Sequence, residues 1–203
     1  MADFCTQADV EAFLQVTVPA AKVASVNRAI AEATEAIRNY CHQYIEQVTD
    51  ETITLDCAGG TKVFLPELPV TDVDSVEEDG ELLVAGADED YQLGQYGILH
   101  RVDQDWVSGI QIIEVVYTHG YATIPQDVRD VCTRAAARAY QAGLKSAEMA
   151  AIPGVQAKSL GDFSVTFGGE SGSAGESVLG ASAAPMLLRS EQRMLDRYRY
   201  VAQ

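Results

Sequence analysis

Three histidines, a serine in a glycine-rich stretch, four cysteines and a run of carboxylates are the residues in this chain that could do chemistry, and each needs particular neighbours to do it. A nucleophilic serine needs a sharp strand-to-helix turn of the G-x-S-x-G kind. The stretch Gly169-Glu-Ser171-Gly-Ser comes close and lacks the last glycine. A phosphate cradle needs G-x-x-x-x-G-K-[ST], or G-x-G-x-x-G directly after a strand, and the sequence offers neither. His42, His100 and His119 lie far apart without H-E-x-x-H spacing, so they read as structural or surface residues. Cys5, Cys41, Cys57 and Cys132 are scattered, with no C-x-x-C pair and no histidine at metal spacing. They read as small buried apolar groups, neither a disulfide frame nor a zinc site. The expectation is no catalytic residue, no cofactor and no metal.

Charge is more informative. The chain holds 30 Asp and Glu against 14 Lys and Arg, a net charge of −16. Such a field repels phosphate, and it disfavours any nucleic-acid binding that works through Lys and Arg. It is compatible with a protein past which DNA travels without being held. Asp72, Asp74, Glu77, Glu78, Asp79, Glu81, Asp88, Glu89 and Asp90 fall in one segment free of Lys and Arg. The segment does not match the calcium loop D-x-[DN]-x-[DN]-G. It reads as a solvated hairpin edge whose charges discourage edge-to-edge pairing. In an assembly, Glu77, Glu78, Asp79 and Glu81 are candidates for the wall of an anionic channel.

The C-terminus contrasts with this. Arg189, Arg193 and Arg197 are spaced i, i+4 and i+8, with Arg199 nearby. Leu187, Leu188, Met194, Leu195, Tyr198 and Val201 supply an apolar side. An arginine-rich amphipathic helix on an acidic chain suits docking to an acidic protein surface. The alternative is a helix folded back on its own domain, its arginines in water or paired with Glu191 and Asp196.

The elements that would position these residues follow from periodicity. Thr6 followed by Asp9 caps a short helix over Gln7–Gln15. Pro19 opens a longer one to about Ile45, with Val23, Val26, Ile30, Ala33, Ile37 and Tyr44 on one stripe. From Thr52 the period changes to two. Ile53, Leu55 and Cys57 alternate with polar residues, Ala58-Gly59-Gly60 turns the chain, and Val63 and Leu65 alternate again. Asp79-Gly80 is a second hairpin signal. The run Gln111–Thr118 is apolar on both faces, which places it centrally in a sheet. Pro125 starts an alanine-rich helix to about Ala142, and Leu160–Phe167 alternates as a strand. Gly168–Ala184 is rich in Gly, Ser and Ala and reads as a flexible loop, followed by a helix from Pro185 to about Val201.

The fold class is therefore α+β: a helical hairpin and an alanine-rich helix packed with a mostly antiparallel sheet, plus a C-terminal strand, loop and helix. The division expected is a core over 1–150, with its β-region at 52–118 and a helix at 125–142, and an arm over 151–203. Neither a span of ~18 to 20 apolar residues nor a secretory leader is evident, so the expectation is a soluble product made in a cytoplasm.

Several blocks in order resemble the head-to-tail adaptor (connector) proteins of siphophages. They are Leu65-Pro-Glu-Leu-Pro-Val70, the Asp79-Gly80 hairpin, Tyr96-Gly-Ile-Leu-His-Arg101 and Val115-Val-Tyr-Thr-His-Gly-Tyr121. Ile124-Pro-Gln-Asp-Val128 and its alanine-rich helix, Ser159-Leu-Gly-Asp-Phe-Ser-Val-Thr-Phe167 and Leu195-Asp-Arg-Tyr-Arg199 follow. The resemblance implies a structural, non-enzymatic protein that forms a homo-oligomeric ring, dodecameric in the family, at the virion neck. It implies docking of C-terminal segments on the portal, for which the pattern of the last helix offers Leu187, Leu188, Arg189, Arg193, Leu195, Arg197, Tyr198 and Arg199 as candidates. It also implies a stopper or tail (tube or terminator) protein on the other side, assembly in the host bacterial cytoplasm, and genomic DNA passing through without specific binding. The competing readings are another neck component, a stopper or tail terminator, and an acidic DNA-mimicking inhibitor.

Overall fold

The computed structural model describes residues 2–150, 157–160, 163–166 and 185–200, which form four α-helices and nine strands. Two compact units share the chain: one from residues 3–36 and 129–192, the other from residues 37–128 and 193–203.

In the first unit α1 (Gln7–Leu14) starts at a capping box. The Asp9 N–H donates to the Thr6 hydroxyl at 3.3 Å, and the Asp9 carboxylate accepts the Thr6 N–H at 2.8 Å. Two of the helix's otherwise unpaired donors are satisfied in this way. Gln15, at φ 54, ends it. The unit also takes most of α2 (Val23–Cys41), entered through a 3-10 turn at Ala20–Lys22, and most of α3 (Gln126–Ala150). Val26, Ile30 and Ala33 of α2 are fully or nearly fully buried, as are Val131, Cys132, Ala135 and Ala136 of α3. Alanine at such positions permits close approach of helices, and the Thr34 hydroxyl lies 3.6 Å from the Cys132 sulfur. A small antiparallel hairpin, β8 (Ala157–Leu160) with β9 (Phe163–Thr166), also belongs to this unit, as do residues 185–192.

The second unit holds two sheets. One is antiparallel in the order β1 (Val48–Cys57), β7 (Gly109–His119), β3 (Val70–Glu78), β4 (Glu81–Leu82). The other is β2 (Lys62–Phe64), β6 (Ile98–Arg101), β5 (Tyr91–Leu93). The central position expected for β7 holds: Ile53 and Val76 both pair with Val115, from opposite sides. Its inner face, Ile113, Val115 and Tyr117, joins Cys57, Val63, Leu65, Val76, Tyr91, Leu99 and Trp106 in one core.

Several boundaries differ from the sequence reading. The second helix stops at Cys41 rather than Ile45, because His42 adopts φ 56 and turns the chain out of the helix. The alanine-rich helix runs to Ala150, eight residues beyond Ala142, so Gly143 lies inside it. Glycine weakens a helix without forbidding it. The turn at Gly59-Gly60 links two sheets: β1 pairs with β7, while β2 pairs with β6. The strand expected over Leu160–Phe167 is present as β9 (Phe163–Thr166), and it pairs with β8 (Ala157–Leu160), most of which precedes the expected range. The C-terminal helix is shorter than Pro185–Val201, comprising α4 (Arg189–Leu195) and a 3-10 turn at Asp196–Tyr198. The loop Gly168–Ala184 and Val201 lie outside the described residues.

Candidate functional site

The acidic hairpin is built by Asp79 at φ 52 and Gly80 at φ 82, both left-handed as a two-residue turn between twisted strands requires. Glu77 faces Leu82 and Glu78 faces Glu81, and β4 is the edge of its sheet. Asp79 and Glu81 are exposed and Glu77 is half-buried, so these three remain candidates for a channel wall. Glu78 does not. It is 8% exposed, takes a hydrogen bond from Arg101 at 3.2 Å, and accepts the Val107 N–H at 2.7 Å. Arg101 in turn donates to the Asp90 carbonyl at 2.6 Å and lies 5.4 Å from the centre of the Trp106 ring. Asp90 accepts the Val84 N–H at 2.9 Å, and that bond, followed by the hydrogen bond and charge of Arg101, holds its carboxyl below the usual aspartate range. Glu78, Arg101 and Asp90 thus tie the hairpin to the core from inside, a role that an unbroken acidic run concealed.

The C-terminal segment is folded back at both of its ends. In the first unit Arg138 of α3 grips Glu191 with two guanidinium nitrogens, at 2.6 and 2.7 Å, and donates to the Met186 carbonyl at 2.9 Å. Glu191 also accepts the Leu188 N–H at 2.9 Å, closing the start of α4. Leu187 is buried there. In the second unit the Tyr198 hydroxyl donates to Asp127 at 2.7 Å, and Arg197 reaches the same carboxylate at 3.1 Å. Gln43 donates to the Tyr198 carbonyl, the Tyr200 N–H to the Cys41 carbonyl at 2.8 Å, and the Tyr40 hydroxyl to Asp196 at 2.5 Å.

The folded-back alternative left the arginines in water or paired with Glu191 and Asp196, and the first of these holds for Arg189, Arg193 and Arg199, which are exposed. Glu191 belongs to Arg138, Asp196 to Tyr40, and Arg197 to Asp127. Leu187, Leu195 and Tyr198, at 6%, 0% and 4% exposure, are internal anchors and are corrected as docking residues. Leu188, Arg189, Arg193 and Arg199 are exposed, and Arg197 keeps 69% of its side chain in solvent. The single ridge of arginines is broken, since Arg197 lies in the 3-10 turn and Arg199 in extended backbone beyond it. Arg138 had no sequence signal. Glu191 had one, because a glutamate three residues after the residue before a helix commonly reaches back to that residue's N–H.

The Tyr117-Thr-His-Gly-Tyr121 block is a structural junction. His119 is fully buried, with Nε2 2.5 Å from Glu51 and its ring stacked on Tyr117 at 5.0 Å. Gly120, at φ 83, passes so close to the chain after α2 that a Cβ would lie 2.3 Å from the Glu46 carbonyl oxygen. Its N–H donates to Pro69, Tyr121 donates to Ile45, and Gln47 donates to Tyr121. All four cysteines are free, and all four are buried, the burial being what their sequence context implied. Among the described residues, no group of His, Cys, Asp and Glu could hold a metal ion, and no helix is long and apolar enough to cross a membrane.

The neck of an empty GTA particle, computed with C6 symmetry, shares the fold: the TM-score is 0.50 at 16% identity, over 97% of this chain and 89% of that one. The neck of a native GTA particle, computed with C12 symmetry, gives 0.48 at 16% identity, over 97% and 88%. No curated protein matches in sequence. The head completion protein family matches residues 3–177, which takes in most of each unit and the junction at Gly120 but not the segment from residue 185 on. The chain therefore belongs to the head completion protein family, a family of structural proteins and not of enzymes.

Proposed function

We propose that this protein is a head-to-tail adaptor of a tailed-phage virion, a ring of identical copies between the portal and a stopper or tail protein. The observation that carries the reading is the family match over residues 3–177. The fold shared with a neck computed with C6 symmetry supports a ring, because a rotational axis of that order needs repeated copies. Twelve copies, assembly in the bacterial cytoplasm and passage of the genome through the lumen are part of the proposal.

The charge distribution fits a conduit. The excess of Asp and Glu falls mostly in the second unit, and the hairpin acids Asp79 and Glu81 stand free at a sheet edge. A lumen of carboxylates displaces no counterions from a passing duplex, so it neither grips nor stalls it. The portal-facing element is the arm over 151–203, through its exposed members Leu188, Arg189, Arg193 and Arg199.

Deletion of the last residues is a poor test, because it would strip Leu187, Leu195 and Tyr198 from the interior. Charge reversal is better. Arg189→Glu, Arg193→Glu and Arg199→Glu together should leave a folded protein with weaker portal binding. The deficit should be larger at low than at high salt, since exposed pairs are screened. Unchanged portal affinity in the folded triple variant would move the interface to another surface.

A further inference from the structure

Cys5 and Cys132 are 127 residues apart in the chain, yet their sulfurs lie 3.2 Å apart in the first unit. Cys5, 3% exposed, immediately precedes the Thr6 cap of α1, and Cys132, 0% exposed, is on the inner face of α3. The neighbourhood is closely tied. The Phe4 N–H donates to the Thr34 hydroxyl at 3.2 Å, that hydroxyl lies 3.6 Å from the Cys132 sulfur, and Asp9 pairs with Arg129 at 3.4 Å. The sulfurs are thus already held together without a bond between them.

We propose that Cys5 and Cys132 form a latent covalent cross-link, closed by oxidation, that fastens the segment ending in α1 to α3. The two thiols differ in readiness. The hydrogen bond between the two sulfurs holds Cys5 below the usual thiol range against the effect of burial, whereas the same bond, together with burial, pushes Cys132 up. Cys5 is therefore the attacking group. Burial raises Cys41 to about 12, which leaves that thiol inert.

With hydrogen peroxide as the two-electron oxidant, the Cys5 thiolate attacks the O–O bond, becomes a sulfenic acid and releases hydroxide, which takes up the thiol proton as water. The Cys132 sulfur then displaces hydroxide from the sulfenic sulfur. The S–S bond forms, and the Cys132 proton leaves with that hydroxide as a second water. Two thiols and one peroxide become one disulfide and two waters. Bond formation needs the sulfurs to approach by about 1.2 Å, since a disulfide spans ~2.05 Å. The timing rests on the adaptor reading: the chain is made in a reducing cytoplasm and works outside it, so the link closes after assembly. The chemistry does not depend on that reading.

The test uses the purified full-length chain. Treatment with dilute hydrogen peroxide should lower the intact mass by about 2 Da, the loss of two hydrogens expected when a disulfide closes. Non-reduced peptide maps should join Cys5 to Cys132, and Tm should rise by on the order of 10 °C, because a long loop is closed in the unfolded chain. Dithiothreitol should reverse all three. Cys5→Ser should abolish the mass loss and Cys57→Ala should keep it. Thiols that stay reduced, oxygen adducts without loss of hydrogens, or a link through Cys41 or Cys57 would overturn the proposal. A Cys5–Cys132 link that leaves Tm unchanged would overturn the fastening role. None of these readouts requires a ring, so a failed cross-link and a failed adaptor reading are told apart.

Discussion

Replacing Gly120 by alanine isolates the junction between the central strand and the chain that follows α2. The new Cβ would lie 2.3 Å from the Glu46 carbonyl oxygen, 2.8 Å from its carbon and 3.1 Å from the Gln47 Cα. All three are backbone atoms, so no side-chain rotation relieves the clash. An L-residue at φ 83 costs about 1–2 kcal/mol, partly offset by about 0.4–1 kcal/mol from a stiffer unfolded chain. Moving the backbones apart lengthens the Tyr121-to-Ile45 and Gln47-to-Tyr121 bonds, now 2.9 and 3.1 Å, each worth about 1 kcal/mol net. The total is about 3 kcal/mol. Gly80 and Gly143 are internal controls, since a Cβ on either meets nothing within 4 Å. Gly80→Ala should cost about 1 kcal/mol for its positive φ alone. Gly143→Ala should stabilise by up to about 1 kcal/mol through helix propensity. Urea unfolding followed by circular dichroism gives all three values. A Gly120→Ala cost no larger than that of Gly80→Ala would refute the argument from close approach.

Other outcomes follow from the charged groups. Glu78→Ala should cost about 3 kcal/mol in urea unfolding, the low end for a broken buried pair because Arg101 keeps Asp90, whereas Glu81→Lys should stay within about 0.5 kcal/mol. Arg138→Ala should speed hydrogen exchange at the Glu191 and Gln192 amides on the order of tenfold, because Glu191 loses its clamp; unchanged exchange would mean that Arg138 does not hold the segment. Asp90 is held below the usual aspartate range, so its contribution is present above the unfolded value of ~3.9 and is lost as pH falls through the folded one. The stability deficit of Asp90→Asn should therefore be full at pH 6 and shrink towards pH 2, and a deficit that grows on acidification would contradict this.

Periodicity made the two long helices, the central strand and the Asp79-Gly80 hairpin legible, because each is fixed by local chemistry: a cap, an apolar run, or two residues that tolerate positive φ. The end of α2 was not legible, since nothing in the residues before His42 announces the left-handed turn that stops it. Pairing across the chain was also hidden. The alternation in Ile53–Cys57 and Val63–Leu65 fits one hairpin as well as two sheets, and only tertiary packing assigns β1 to β7 and β2 to β6. The same limit applied to the candidate sites. Exposed and buried members of one acidic run look alike until Arg101 is placed beneath Glu78. Leu195 and Tyr198 have the composition of a docking face and are instead anchors. The most specific part of the resemblance is the run from Tyr117 through Ile124-Pro-Gln-Asp-Val128 into the alanine-rich helix, and the content of its Tyr117–Tyr121 portion is structural: a buried His119 against Glu51 and a glycine where backbone meets backbone.

The central claim is a ring of this chain in the virion neck, and copy number tests it most directly. Necks released from purified particles, weighed intact and after stepwise loss of subunits, should contain several identical copies of 21.8 kDa each, with twelve as the count proposed. Imaging of the same necks should show those copies as a closed ring between portal and tail. Necks that hold one copy, or that are complete without the chain, would contradict the account.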